Sequence, residues 1–331
     1  MSRDIFKPSV WIANTHVQNL ITSSRLRRIL LKREYSSLIK NSQQVTLEIA
    51  NDVRLSGMKT IHNDKTTRPL LILFHGWEGS CDSGYVLSSG GKAFESGFNI
   101  FRLNFKDHHD SHHLNEGIFN SSLIDEAMDA IAKIQTLIPH THCYLAGFSL
   151  GANFALRVGT RATELPHALA RIVSICPVIR PDHSTQAITD TLPFYEWYFV
   201  RKWKHSLQKK LNLFPQYNYQ TQLESLNTLV KMNDFFIPEY TGFDSVEDYF
   251  QSYTITPELL SEIKVETLLI ASKDDPVIPI EDIEAIQKKN CSEKLTFDIQ
   301  DYGSHCAFIK HIRRASWADE RMLDFITAYG A

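Results

Sequence analysis

Residues 147–151 (GFSLG) carry the groups that could supply an activated nucleophile. The segment follows an apolar run at 142–148 and opens a helical pattern over residues 149–161. A serine at this G-x-S-x-G spacing, in a sharp strand-to-helix turn, is typical of a nucleophile elbow, where small neighbours let the backbones approach closely. The turn also places the serine at a helix N-terminus, where partial positive charge favours a developing anion. We therefore predict that Ser149 is a catalytic nucleophile.

A second segment, residues 74–80 (FHGWEGS), directly follows a continuous apolar run (LLILF) that is typical of a strand buried on both faces. An enzyme with such a serine turn takes one oxyanion-hole N–H from the residue after the nucleophile and another from the loop after this strand. The predicted donors are therefore the backbone N–H groups of Leu150 and Trp77. We interpret His75 as a buried residue that orders the loop and not as the catalytic base.

The base and the acid should follow later strands. His305 lies in a Gly-Ser-His turn after the predicted strand at 294–299, where a neutral imidazole could take the serine proton and later return a proton to the leaving group. Asp275 follows the predicted strand at 265–271, four residues before a proline, and we predict that it orients the imidazole. The adjacent Asp274 is an alternative acid. The chain order Ser…Asp…His is one of the established orders of this triad.

Four histidines and two aspartates crowd into residues 107–113 (DHHDSHH), directly after a predicted strand. These side chains could bind zinc or iron, but their H-x-x-x-H spacing aligns two ligands only in a helix, which a loop after a strand does not favour. The loop could instead line a substrate pocket, because it leaves the sheet at the predicted catalytic edge, or be a hydrogen-bonded structural loop. We expect no metal site. The candidate pocket residues are His108, His109, Phe148 and Tyr249.

Short β-rich runs alternate with helical patterns from about residue 45 onward. This alternation implies βαβ crossovers, and with a hairpin at its start it predicts a mostly parallel eight-stranded sheet flanked by helices. The predicted strands span residues 45–50, 53–60, 70–74, 98–105, 142–148, 170–176, 265–271 and 294–299. The predicted helices span residues 122–138, 149–161, 280–289 and 315–329.

The alternation stops between residues 177 and 263, where the pattern is helical and rich in aromatic residues. An insertion between two strands would lie over their carboxyl ends, where open α/β sheets bind ligands. We interpret it as a lid that shapes a substrate pocket; the alternative is a helical subdomain that packs only for stability. The predicted organisation is an N-terminal helical segment (1–44), the first part of the core (45–176), the lid insertion (177–263) and the second part of the core (264–331).

The composition favours a globular protein in a reducing compartment. The formal net charge of −3 gives no overall positive field, so nucleic acid is not an expected partner. The five cysteines are odd in number and form no CxxC pair, and we interpret them as free thiols. The first ten residues lack the apolar core of a signal peptide, and no apolar stretch approaches the length of a membrane span. A cytoplasmic location is expected.

Residues 15–40 combine apolar positions with several arginines and lysines. A basic amphipathic helix can lie on an anionic membrane surface, so weak peripheral contact with the inner face of the membrane is one interpretation. The other is a helix strapped across the core with its charges in solvent.

Several segments resemble those of YheT-like α/β-hydrolases, bacterial relatives of eukaryotic α/β-hydrolase-domain esterases and phospholipases. Residues 75–85 follow the pattern HG-x-EGS-x-x-S-x-Y, and residues 14–18 (NTHVQ) are similar to an N-terminal NxHxQ segment. Residues 233–250 contain NDF, TGF and DYF, which resemble the FD…GF…DYY segment of the lid. With residues 274–276 (DDP) and His305, the likeness extends over nearly the whole chain.

Three positions depart from that pattern: Lys106 follows Phe105 where the family often has an FRG turn, Trp77 replaces Leu or Phe, and Phe250 replaces a second Tyr. These differences bear on substrate preference and not on the triad. The resemblance implies the α/β-hydrolase fold and hydrolysis of a carboxylic or acylglycerol ester, with no metal or organic cofactor. A small-molecule or lipid ester is the expected partner, and the aromatic insertion favours an apolar acyl chain. Acyl transfer or thioester cleavage on the same triad, and a non-catalytic ligand-binding protein, are alternatives.

Overall fold

The apolar runs form one eight-stranded sheet in the computed structural model, which describes residues 5–329. Residues 1–4, 330 and 331, at the two ends of the predicted organisation, lie outside the described residues. The strands are β1 (Ser42–Glu48), β2 (Arg54–Thr60), β3 (Arg68–Phe74), β4 (Asn99–Asn104), β5 (His140–Phe148), β6 (Leu169–Ile175), β7 (Thr267–Ser272) and β8 (Leu295–Gln300). Their order is β1-β2-β4-β3-β5-β6-β7-β8. Strand β2 pairs antiparallel with β1 and β4, and all other pairs are parallel, which confirms the predicted mostly parallel sheet.

Fourteen α-helices surround or interrupt this sheet in the described part of the chain. They are α1 (Thr15–Ser23), α2 (Arg25–Glu34), α3 (Ser36–Lys40), α4 (Gly84–Glu95), α5 (Ile124–Leu137), α6 (Leu150–Thr160), α7 (Pro181–Asp190), α8 (Pro193–Leu213), α9 (Gln220–Ser225), α10 (Leu229–Tyr240), α11 (Val246–Ser252), α12 (Pro257–Ser261), α13 (Ile280–Lys289) and α14 (Trp317–Thr327). The four predicted helices correspond to α5, α6, α13 and α14, with ends that differ by no more than two residues.

Parallel pairing brings the carboxyl ends of the central strands to one edge. Phe74 at the end of β3 is in register with Gly147 of β5, and Ile175 at the end of β6 pairs with Phe148. The side chains of β3 from Leu70 to Phe74 are fully buried, as a strand covered on both faces requires. The loops that follow β3, β5, β7 and β8 therefore leave the sheet at the same edge.

Helices α7–α12 occupy the stretch between β6 and β7, and no strand is described there. Their buried aromatic residues, such as Tyr219 and Phe236, share a cluster with Leu156 of α6 and Leu269 of β7. The insertion therefore packs against the sheet layer through an apolar core.

The N-terminal segment crosses the core with one face buried. Leu31 is fully buried, and the buried Arg27 guanidinium donates to the carbonyl oxygens of His311, Ile312 and Arg314. The inner face of α2 therefore packs across the core, with the Arg27 charge buried and not in solvent as the strap interpretation expected. The opposite face is exposed and includes Leu26.

None of the helices described within residues 5–329 is long and apolar enough to cross a membrane. All five cysteines are free thiols, as predicted, and four of them are buried.

Candidate active site

The backbone at Ser149 is strained where β5 turns into α6. Its φ of 54° and ψ of −116° lie in a region that L-residues rarely adopt. The turn is held because the Ser149 N–H donates to the Ile175 carbonyl at 2.9 Å and the Ser149 carbonyl accepts from Ala152 N–H at 3.0 Å. A Cβ on Gly151 would lie 2.6 Å from the Phe74 carbonyl oxygen, so the neighbouring backbones leave room only for glycine. The sequence thus forms the sharp turn that its G-x-S-x-G spacing predicts.

Ser149, His305 and Asp275 come together at the carboxyl edge of the sheet. The Ser149 Oγ lies 2.9 Å from His305 Nε2, and His305 Nδ1 lies 2.9 Å from Asp275 Oδ2. The other carboxylate oxygen of Asp275 accepts the backbone N–H groups of Val277 at 2.8 Å and Ile278 at 3.0 Å. In this network a neutral imidazole donates its Nδ1–H to the carboxylate and accepts the serine hydroxyl proton at Nε2.

The electrostatics of this network favour a protonated imidazole. The His305 side chain is 15% exposed and that of Asp275 only 2%. Burial lowers the pKa of His305, but the Asp275 carboxylate and the Cys306 thiol together outweigh this effect and raise the pKa to about 9. Asp275 is therefore placed to stabilise the positive charge that His305 gains when it takes a proton.

Asp274, the alternative acid, points elsewhere. Its Oδ1 accepts the Ser304 N–H at 2.8 Å, and its backbone carbonyl accepts the Thr15 hydroxyl at 2.7 Å. Asp274 thus fixes the turn that carries His305, while Asp275 contacts the imidazole.

The two residues that carry the predicted oxyanion donors, Trp77 and Leu150, line the same cavity as Ser149. Leu150 is the first residue of α6, so its N–H has no acceptor within the helix. Trp77 follows Gly76, where a Cβ would come within 3.1 Å of the Ser149 Cβ. Neither N–H donates to another group of residues 5–329. The oxyanion hole itself stays a prediction.

The loop after β3 is ordered by His75, as predicted. The His75 Nδ1 lies 2.7 Å from the Gly76 carbonyl oxygen, to which it donates, and Nε2 accepts the Phe105 N–H at 3.1 Å. The side chain is completely buried, and burial holds its pKa well below the usual range. A neutral histidine with both nitrogens occupied by backbone groups serves structure and not proton transfer.

A family model described as the alpha/beta hydrolase fold matches residues 69–312. The match spans well over half of the chain and contains all three residues of the hydrogen-bonded network. The chain belongs to the α/β-hydrolase fold family.

Relatives of this α/β-hydrolase agree with the subgroup that its motifs resemble. YheT of Escherichia coli strain K12, which carries a provisional name as an esterase, is 25% identical over 269 residues, covering 79% of this chain and 77% of YheT. The human phospholipase ABHD3 is 22% identical over 283 residues, covering 81% of this chain and 66% of ABHD3. Among solved structures, the Pyrococcus furiosus esterase Pf2001 is similar with a TM-score of 0.60 and 15% identity, over 91% of this chain and 96% of that chain. This last likeness concerns the fold.

A cavity of about 580 Å³ in this α/β-hydrolase is lined by Ser149 and His305. Its walls are mostly apolar and aromatic and include Trp203 and Phe236 of the insertion. Tyr249, a predicted pocket residue, also lines it and accepts the Ser121 N–H at its hydroxyl at 2.9 Å. Its size and lining are those of a site for a small organic molecule.

The residues that line the cavity also include a carboxyl group, that of Glu78. Burial raises the pKa of Glu78 to about 7, against the opposing effect of Lys202. Lys202 of α8 also donates to the Glu78 carbonyl oxygen at 2.7 Å. Near neutral pH this carboxyl is therefore partly protonated and adds less than a full negative charge to an apolar cavity.

Two predicted pocket histidines lie outside the cavity lining of this hydrolase, which corrects the assignment. His108 is buried, and backbone groups satisfy both of its ring nitrogens. Its Nε2 accepts the Glu78 N–H at 3.1 Å, and its Nδ1 donates to the Lys106 carbonyl at 2.7 Å. His109 turns to the surface, where its Nδ1 lies 3.2 Å from Asp110.

Phe148, the third misassigned pocket residue, is also outside the lining. Its side chain is 1% exposed and packs against Tyr85, with ring centroids 4.7 Å apart. Because side chains alternate across a strand, the residue before the serine at the end of β5 turns into the core.

Two further residues of the 107–113 loop, Asp107 and His112, bind the insertion. Asp107 accepts from the buried Lys210 of α8 at 2.7 Å, and its backbone carbonyl accepts the Ser206 hydroxyl at 3.2 Å. The Ser206 hydroxyl also lies 2.9 Å from His112 Nε2. These separate partners favour a hydrogen-bonded structural loop over a metal site.

The sequence placed most of the NTHVQ segment in the basic helical stretch at 15–40 and predicted no part for it in the active site. The Thr15 hydroxyl donates to the Asp274 carbonyl at 2.7 Å, and Thr15 accepts the Ser304 hydroxyl at its carbonyl at 2.8 Å. Gln18, fully buried, accepts the Ile309 N–H at 3.2 Å. The segment therefore braces the loops that carry Asp275 and His305, and its resemblance to the NxHxQ pattern was the signal that could have found it.

Proposed function

We propose that this chain hydrolyses carboxylic esters, with Ser149 as nucleophile, His305 as general base and acid, and Asp275 as the residue that orients His305. The observation that carries the proposal is the continuous hydrogen-bonded path from the Ser149 hydroxyl through the imidazole to a carboxylate, with 2.9 Å at both steps. It stands at the wall of an apolar cavity in an α/β-hydrolase fold. The relatives named as an esterase and a phospholipase support the same reaction class.

The reaction begins when Ser149 Oγ attacks the acyl carbonyl carbon and its proton passes to His305 Nε2. Asp275 stabilises the resulting imidazolium through the Nδ1–H bond. The N–H groups of Trp77 and Leu150 then bind the negative oxygen of the tetrahedral intermediate, each donor contributing about 3 kcal/mol.

Collapse of the intermediate breaks the bond to the leaving alcohol, which receives the proton from His305 and departs. A water molecule then attacks the acyl-enzyme, its proton passes to His305, and a second tetrahedral intermediate forms. The proton returns to Ser149 Oγ as the carboxylic acid leaves, so the enzyme is regenerated without an external oxidant or reductant.

The substrate is an ester with an apolar acyl chain, of an acylglycerol or lipid-like kind. This assignment is supported by the aromatic wall of the cavity, where Trp77 stacks on Phe199 and meets Trp203, each pair with ring centroids 5.4 Å apart. We assign the insertion at 177–263 the role of a lid over this cavity, because its helices supply much of that wall.

A panel of p-nitrophenyl esters from acetate to palmitate tests the function. We expect hydrolysis by the wild type, with KM falling as the acyl chain lengthens until the cavity is filled. Ser149→Ala should abolish it, whereas Ser261→Ala, which changes an exposed serine of α12, should not. Equal rates for Ser149→Ala and the wild type, or no hydrolysis of any ester by the wild type, would contradict the proposal.

A further inference from the structure

The cavity reaches the surface between two elements that both expose apolar side chains. Exposed Leu20 of α1 lines the cavity on one side, and exposed Leu192 and Phe194 line it at the start of α8. The two elements are joined because the Tyr195 hydroxyl bonds to Asn19 at 2.9 Å and to His16 at 3.0 Å. The mouth of the cavity is therefore a defined feature of the described chain, with apolar residues on both rims.

Further large apolar side chains are exposed in the segments next to both rims. Trp11, just before α1, is 90% exposed, and its neighbour Val10 is 89% exposed. On the other rim Trp197 is 53% exposed, and Arg201 lies over its ring at 5.2 Å from the centroid. Exposed tryptophans beside cations are the composition found where proteins meet the membrane–water interface.

The rim formed by α1 belongs to an N-terminal segment that carries basic residues and no acidic ones. Residues 5–33 contain six lysines and arginines and no aspartate or glutamate, although the whole chain has a net charge of −3. Arg25, Arg28 and Arg33 of α2 are exposed, and Arg28 also lines the cavity. Such a cluster is complementary to a surface of anionic lipid headgroups.

We propose that this face, defined as Val10, Trp11, Leu20, Phe194, Trp197 and the exposed arginines of α2, docks on an anionic lipid bilayer. Docking turns the mouth of the cavity toward the membrane, so that an apolar ester passes from the bilayer to Ser149 without crossing water. The docking rests on the exposed face alone, and the delivery of substrate rests on the proposed function. The alternative is that a second copy of the chain binds to the same face and forms a dimer.

Co-sedimentation of the full chain with vesicles tests the electrostatic part. We expect binding to vesicles of phosphatidylcholine and phosphatidylglycerol in equal parts, little binding to phosphatidylcholine alone, and release as NaCl is raised. Arg25→Gln with Arg33→Gln should weaken binding about 30-fold, because each cation near an anionic surface contributes about a factor of five. Lys133→Gln, an exposed change on α5, is the matched control and should bind like the wild type.

The apolar part is tested by Val10→Ser with Trp11→Ser, which should also lose vesicle binding. Leu137→Ser is the control, because Leu137 is exposed just before the start of β5, at the opposite edge of the sheet. Both variants should hydrolyse soluble p-nitrophenyl butyrate at the wild-type rate.

The outcomes separate docking from catalysis. A wild type that hydrolyses the soluble ester but stays in the supernatant with anionic vesicles would overturn the docking, and so would a dimer in solution that Trp11→Ser dissociates without any effect on lipid binding. Vesicle binding without ester hydrolysis would overturn the proposed function and leave the docking intact.

Discussion

Two loops leave the same edge of the sheet with histidines in them, and they use those histidines differently. After β8, both nitrogens of His305 face side chains, the Ser149 hydroxyl and the Asp275 carboxylate. After β4, the two nitrogens of His108 bind the backbone groups of Glu78 and Lys106. An imidazole held by backbone groups fixes a loop, whereas one between a hydroxyl and a carboxylate can exchange protons. Position at the edge of the sheet does not by itself make a histidine catalytic; its hydrogen-bond partners do.

Removal of each imidazole separates the catalytic histidine from the structural one. We expect His305→Ala to lower kcat about a million-fold, because the base is lost, while the free energy of unfolding changes little. His108→Ala should retain measurable hydrolysis but lower the free energy of unfolding by about 1–3 kcal/mol, because two backbone groups lose their partners. Steady-state kinetics and urea unfolding of both variants give the answer, and ester hydrolysis by His305→Ala near the wild-type rate would refute the assignment.

The two adjacent aspartates after β7 also differ in their partners, although they lie in one loop. Asp275→Asn should lower kcat about ten-thousand-fold, since the amide cannot stabilise the imidazolium and favours the wrong tautomer. Asp274→Asn should cost far less, because an amide oxygen can still accept the Ser304 N–H. The kinetics of the two variants on the same ester decide between them. A larger loss in Asp274→Asn would mean that the acid has been misassigned.

The structural role of the 107–113 loop is tested at its ion pair with α8. The Lys210 and Asp107 side chains are 1% and 6% exposed. Burial lowers the pKa of Lys210 and raises that of Asp107, and each residue opposes the shift in the other. Lys210→Met leaves a buried carboxylate without its partner and should lower the free energy of unfolding by about 3–5 kcal/mol. Lys264→Met breaks an exposed pair with Glu262 and should cost less than about 1 kcal/mol. Equal unfolding midpoints for the two variants would contradict the role of the loop in binding the insertion.

The smallest expected effect is a shift in pH dependence. Only the neutral imidazole can accept the Ser149 proton, so kcat/KM should rise with pH until it passes the pKa of His305, which Asp275 and Cys306 raise to about 9. In Asp275→Asn the carboxylate charge is gone, and burial is opposed only by Cys306, so the midpoint should move to lower pH by about one unit or more. The pH profile of kcat/KM for both proteins measures this shift, and an unmoved midpoint would show that Asp275 does not set the proton affinity of His305.

The sheet could be predicted from the sequence because its signals are local. Runs such as LLILF at the end of β3 are apolar without interruption and are bounded by polar or turn residues. The helix α4 was not predicted, because GYVLSSGGKAFE reads as a turn-rich stretch. The small residues of α4 are required by tertiary contacts. The Ser88 hydroxyl donates to the buried Asp319 of α14 at 2.5 Å, and a Cβ on Gly91 would overlap the ring of Tyr35.

In the candidate site, too, some residues carry a local sequence signal and others depend on contacts with distant residues. Ser149, Asp275 and His305 each carry a local signal and a fixed chain order, so they could be named before the structure. The position of His108 depends on a hydrogen bond to Glu78, 30 residues away, and that of Phe148 on which face of β5 meets Tyr85. The contribution of α1 to the cavity depends on contacts across nearly the whole chain, as with Gln18 and Ile309. No local pattern encodes such partners.

Labelling with a fluorophosphonate probe, followed by mass spectrometry of the modified peptide, identifies the nucleophile. We expect one adduct per molecule on Ser149 in the wild type, none in Ser149→Ala, and much slower labelling in His305→Ala. Stoichiometric labelling that persists in Ser149→Ala, with the adduct on another residue, would contradict the assignment of Ser149 as the nucleophile.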